Sequence, residues 1–148
     1  MSMTQTPNSG CKPDLDGTRI LVAEDEAVIA MMVEDSLIGA GALVLGPVIS
    51  VQDALQMVKV AMADGGITAA VLDIQLGDAK AIGVADVLRE RGVPFLFATG
   101  HDGHPVLDSH RGVPVLCKPY NPEDLVRMIG ELCHARAPAA LAGLAGPG

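Results

Sequence analysis

The chain has 148 residues, 49% of them apolar, and a formal net charge of −8. That length suits one domain with a proper core and is too short for two of ordinary size. The acidic balance, without any basic run, argues against nucleic-acid binding, and no uncharged stretch reaches the length of a membrane span. The first ten residues have neither the basic nor the apolar region of a secretory leader, so a cytoplasmic protein is expected. Cys11, Cys117 and Cys133 are an odd set without zinc-ligand spacing and read as reduced thiols, with Cys117 placed in a buried strand.

Residues 1–17 are polar and read as a flexible lead-in. The apolar run Ile20-Leu21-Val22-Ala23 follows and ends in Glu24-Asp25. A helix is predicted over Ala27–Gly39, with Ile29, Met32, Val33, Ser36 and Leu37 on the inner stripe and Val28 and Met31 on the outer face. An apolar outer face on an acidic protein suggests a docking surface. Ser50 as N-cap and Asp53 open a second helix that ends near Asp64-Gly65-Gly66. Ala69-Ala70-Val71-Leu72 then ends in Asp73, a third helix covers Ala81–Arg91, and Phe95-Leu96-Phe97-Ala98 ends in Thr99. Gly100–Gly112 holds three Gly, three His and a Pro, leaving room for a turn or two of helix from Pro105. Val115-Leu116-Cys117 precedes Lys118, and Asn121-Pro122-Glu123-Asp124 opens the last helix. Residues 137–148 read as a flexible Ala/Gly/Pro tail, which leaves 18–136 as the domain.

Short apolar runs bounded by turn residues are what parallel strands buried on both faces look like, and their alternation with helices predicts a doubly wound α/β sheet. Ligands of such sheets bind outside the carboxyl ends of the strands. Glu24, Asp25, Asp73, Thr99 and Lys118 all sit at those ends, so one rim should collect them. Like charges ~4 Å apart repel by about 4 kcal/mol at an effective dielectric of 20, so the acids invite a cation. Hard oxygen ligands suit Mg²⁺. Beside it a carboxylate can accept a phosphoryl group, with Lys118 adding positive charge and Thr99 a hydrogen bond.

Leu21-Val22-Ala23-Glu24-Asp25-Glu26, Val71-Leu72-Asp73-Ile74-Gln75, Ala98-Thr99-Gly100 and Cys117-Lys118-Pro119-Tyr120 resemble the receiver domain of two-component response regulators. The resemblance implies a (βα)5 flavodoxin-like fold, strand order 2-1-3-4-5, here with a shortened or irregular fourth helix. It implies that Asp73 takes a phosphoryl group from a histidine kinase or phosphotransfer protein and loses it by self-catalysed hydrolysis. Thr99 and Lys118 would hold the phosphoryl oxygens. Asp25, Asp73 and the Gln75 carbonyl would bind Mg²⁺, and Glu24 would act through a metal-bound water. Pro119 should follow a cis peptide bond that aims Lys118 inward. Gln75 and His101 occupy positions that set acyl-phosphate lifetime, and the helix bearing Val28 and Met31 would pack on the kinase. Phe97-Ala98-Thr99-Gly100 is similar to the signature of a stand-alone receiver subgroup, although Asp102 stands where that motif has an aromatic.

Val115 occupies the place of the family's usual Tyr or Phe, so the segment Gly100–Gly112 is expected to rearrange on phosphorylation instead. His101, His104 and His110 read as ordinary loop histidines rather than metal ligands, and Tyr120 as a packing residue. The expected function is a single-domain response regulator that catalyses only its own phosphorylation and dephosphorylation. Its output would be contact with a separate protein target, a phosphorelay or a phosphate sink, with oligomeric state left open. Two rivals are an Mg²⁺-dependent aspartyl-phosphate phosphatase, disfavoured because such enzymes carry a second acid where this chain has Gln75, and a pseudo-receiver that works without phosphorylation.

Overall fold

A computed structural model describes residues 14–100, 110 and 112–145. In chain order the elements are β1 (Arg19–Ala23), α1 (Ala27–Gly39), β2 (Leu43–Val48), α2 (Val51–Ala63), β3 (Ala69–Asp73), β4 (Gln75–Leu76), β5 (Ala79–Lys80), α3 (Ile82–Glu90), β6 (Phe95–Thr99), β7 (Val115–Cys117) and α4 (Pro122–Ala145). Five strands make one parallel sheet in the order β2-β1-β3-β6-β7. Once the small antiparallel β4–β5 hairpin is set aside, this is the expected 2-1-3-4-5 order.

Alternation of side chains along each strand sorts the core into two layers. Leu21 and Ala23 of β1, Ala70 and Leu72 of β3, and Phe95 and Phe97 of β6 pack with Ala54 and Val58 of α2 and with Val84 and Leu88 of α3. Their neighbours Ile20, Val22, Ala69, Val71 and Leu96 pack on the other face with Val33 and Leu37 of α1 and with Leu125 and Ile129 of α4. Each wholly buried Leu, Ile or Val contributes roughly 1.5–3 kcal/mol. Helices α2 and α4 start where their capping residues placed them. Ser50 Oγ accepts from Asp53 N at 3.0 Å, and Asn121 Oδ1 accepts from Glu123 N at 2.8 Å. Among the described residues no helix is long and apolar enough to cross a membrane.

One glycine is required by close approach. Gly46 has φ +108°, and a Cβ there would lie 2.7 Å from Val48 N and 2.8 Å from Val22 O. Its conformation accommodates the register shift between Leu21 and Ala23, after which Val48 O accepts from Glu24 N at 2.9 Å. A turn of edge strand thus fixes the backbone of a site acid.

The structure departs from the sequence reading in several places. Leu15, assigned to the lead-in, is fully buried, and its N–H donates to Ala40 O at 2.9 Å. A single apolar residue among polar ones carries no periodicity, so it left no signal. Helix α4 runs to Ala145, beyond the expected end at 136, because the Ala and Leu of this stretch favour helix despite Pro138. Val115 and Cys117 of β7 are exposed, since this edge strand pairs only with β6 and packs only Leu116 inward. The β4–β5 hairpin was not expected at all. Residues 1–13, the expected turn from Pro105, and His101 and His104 lie outside the described residues.

Candidate functional site

The carboxyl ends of β1, β3, β6 and β7 bring the five rim residues together. Glu24 and Asp25 follow β1, Asp73 ends β3, Thr99 ends β6 and Lys118 follows β7. Backbone bonds tie these ends: Ile74 N donates to Ala98 O at 3.1 Å, and Lys118 N donates to Thr99 O at 2.8 Å. Asp25, Glu26, Asp73, Gln75, Lys80, Thr99 and Lys118 line an open cavity of about 360 Å³.

Lys118 is the electrostatic centre. Its ammonium lies 2.8 Å from Asp73 Oδ2, 2.9 Å from Glu24 Oε1 and 3.2 Å from Glu26 Oε1. Burial alone would lower the ammonium's pKa, but hydrogen bonds to Asp73 and Glu24 outweigh it and hold it above the ordinary lysine value. Glu24 is 2% exposed, and burial pushes its carboxyl up to about 7. The Glu26 N–H, at 3.0 Å from Glu24 Oε2, and Lys118 pull that value down, while Asp73 adds to the rise. Asp73 Oδ1 accepts from Gln75 N at 3.1 Å, and Asp25 Oδ2 accepts from Gly77 N at 2.8 Å.

One oxygen each from Glu24, Asp25 and Asp73 lies within 4.8 Å of the others, so these three could hold one cation. An all-oxygen donor set carrying up to three negative charges matches a hard divalent ion. Lys118 alone does not neutralise it.

The Lys118–Pro119 peptide is cis, and so is Gly46–Pro47. Val28 and Met31 are 80% and 62% exposed on α1, with Ala30, Val33 and Leu37 buried beneath them. Tyr120 packs against the α1/α4 core, where burial pushes its hydroxyl up to about 12. Among the described residues that hydroxyl has no hydrogen-bond partner. His110 is not an ordinary loop histidine: it is buried, its Nε2 is 2.8 Å from Asp86 Oδ1, and its ring meets Phe95 and Phe97 edge-on.

Two cavity residues escaped the sequence reading. Glu26 stands next to the acidic pair, so the signal was present but carried no role. Lys80 reaches the cavity only because β4 and β5 fold back, which nothing in the periodicity announced.

No protein-family model matches the chain, and neither does any curated protein. Solved structures do. The chain is 41% identical to SdrG from Sphingomonas melonis Fr1, over 78% of this chain and 95% of that one, with TM-score 0.66. It is 30% identical to a response regulator receiver protein from Sinorhizobium medicae WSM419, over 80% and 96% of the two chains, with TM-score 0.70. Similarity to the response regulator PhyR from Brucella abortus, at 24% identity and TM-score 0.72, covers 97% of this chain but only 57% of that one.

Proposed function

The chain belongs to the response regulator receiver family, and on that premise we propose that it accepts a phosphoryl group on Asp73 from a phosphohistidine of a histidine kinase or phosphotransfer protein. In the transfer the bond between phosphorus and the histidine nitrogen breaks as a bond to an Asp73 carboxylate oxygen forms. The observation that carries this reading is the Asp73 carboxylate at 2.8 Å from a lysine ammonium, within one cavity that also holds Thr99 and two further acids.

Each neighbour has a task that follows from its chemistry. Lys118, already paired with Asp73, supplies positive charge to the new phosphoryl oxygens. Thr99, at the end of the adjacent strand β6, offers a hydroxyl donor to them. Asp25, Asp73 and the Gln75 carbonyl would hold Mg²⁺, with Glu24 acting through water. When bound, the ion neutralises charge on the transferring oxygens. Hydrolysis of the acyl phosphate then resets the domain without a separate enzyme.

Val28 and Met31 give α1 an apolar outer surface at the edge of the site, which suits packing against a helical phosphodonor. The output on this reading is contact with another protein, or phosphoryl traffic itself as a relay or sink, in the cytoplasm. Incubation with Mg²⁺ and acetyl phosphate, followed by intact-mass measurement, tests the central claim. Wild type should gain the mass of one phosphoryl group and Asp73→Asn should gain none. Absence of an adduct on the wild type, or an equal adduct on the variant, would overturn it.

A further inference from the structure

The β4–β5 hairpin sets a second ammonium at the mouth of the phosphoacceptor cavity. Resting on the receiver reading above, we propose that Lys80 is a positioning residue that lengthens the life of phospho-Asp73 by clamping the Gln75 amide away from the attacking water.

The hairpin register pairs Gln75 with Lys80 and Leu76 with Ala79, so the first two side chains meet across the strands. Lys80 Nζ donates to Gln75 Oε1. At the other end of the same amide, Nε2 donates to Gly77 O at 3.0 Å. Both ends are therefore engaged within the hairpin. The hairpin itself is anchored, because Leu76 is buried and Gly77 N donates to Asp25 Oδ2 at 2.8 Å. Gln75 is also close to the reacting group: its backbone N–H donates to Asp73 Oδ1 at 3.1 Å, and it lines the cavity with Asp73 and Lys80.

Loss of the phosphoryl group needs a water molecule in line with the bond to Asp73. The water oxygen bonds to phosphorus as the phosphorus–Asp73 oxygen bond breaks. The electron pair stays on the carboxylate, a water proton passes to solvent, and inorganic phosphate leaves. An amide free to turn can hold that water in line, and orientation of this kind raises a rate substantially. An amide pinned at both ends cannot. Removing Lys80 releases the oxygen end while leaving Asp73, Lys118 and Thr99 in place.

The experiment follows decay of the phosphorylated protein by intact mass, after removal of acetyl phosphate, for wild type, Lys80→Met, Lys80→Arg, Gln75→Ala and the Lys80→Met/Gln75→Ala pair. Lys80→Met should shorten the half-life about threefold or more, and Lys80→Arg, which restores a donor, should stay within about 1.5-fold of wild type. In the Gln75→Ala background Lys80→Met should change the half-life by less than about 1.3-fold, because the two residues act as one unit. A half-life unchanged or lengthened in Lys80→Met overturns the inference. So does a shortening of equal size in both backgrounds, which would mean that the ammonium acts on the phosphoryl group directly. Either result leaves the receiver reading standing as long as the wild type is phosphorylated; a wild type that takes no phosphoryl group overturns both.

Discussion

Lys118→Met keeps the length of the side-chain stem and removes its charge. Lys118 is 14% exposed and lies 2.8 Å from Asp73 Oδ2 and 2.9 Å from Glu24 Oε1. Each contact is a Coulomb attraction of about 6 kcal/mol at an effective dielectric of 20. Desolvation of the three groups offsets most of that sum, and removing one partner of such a buried pair costs about 3–5 kcal/mol. Glu24 has an escape that puts this case at the low end: its carboxyl, already up at about 7, takes a proton when the ammonium is gone. We expect a loss of about 3 kcal/mol at pH 8 without metal, a fall in Tm of roughly 10 °C for a domain of this size. The same change strips the acids of their internal cation; the proton Glu24 takes up offsets part of the gain, and Mg²⁺, which displaces it, should still bind about tenfold more tightly at pH 8, equivalent to about 1.4 kcal/mol. Thermal melts in EDTA and calorimetric Mg²⁺ titrations read both effects, since the chain has no Trp to report metal binding by fluorescence. A variant that melts within about 2 °C of wild type in EDTA and binds Mg²⁺ no better would refute the reasoning.

Three other expectations concern different parts of the molecule. The folded-state value of about 7 for Glu24 lies above the ordinary 4.5 of a free glutamate, so the folded protein holds the extra proton between them. Metal-free stability should therefore fall as pH rises through that window; the gain in Tm from Mg²⁺ should widen from pH 5 to 7 and level off above 8, and a constant gain would contradict this. Gly46→Ala forces a Cβ to within 2.8 Å of two backbone atoms at a positive φ, and denaturant unfolding should show a loss of about 2 kcal/mol or more, accompanied by weaker Mg²⁺ binding as Glu24 shifts. Met31→Glu charges the exposed face of α1 without touching the cavity; it should slow phosphotransfer from the cognate kinase at least about tenfold while leaving labelling by acetyl phosphate unchanged, and equal slowing of both would place the residue in the chemistry instead.

How far the sequence revealed the molecule depended on whether burial left a continuous trace. β1, β3 and β6 are covered on both faces, so each wrote an uninterrupted apolar run, and the residue ending each run was identifiable as a rim residue. β7 wrote a similar run, yet it is an edge strand whose outward side chains are Val115 and Cys117, and the run misrepresented its exposure. β4 and β5 are two residues each, too short for any period, so the wall they form and the place of Lys80 on it could not be read. The burial of His110 leaves no local trace for a related reason. Its neighbours in sequence are loop-like, while the groups that bury it, Phe95, Phe97 and Asp86, come from β6 and α3.

The bond from Lys118 N to Thr99 O couples two groups that would grip the same phosphoryl oxygens. On the proposed reading, a pull on the hydroxyl end of β6 would be passed sideways through this bond into β7. That last ribbon borders water, with Val115 and Cys117 turned outward. On that reading, occupancy of a nearly hidden carboxylate would have a short route to the rim of the sheet, where a binding protein could feel it by touch.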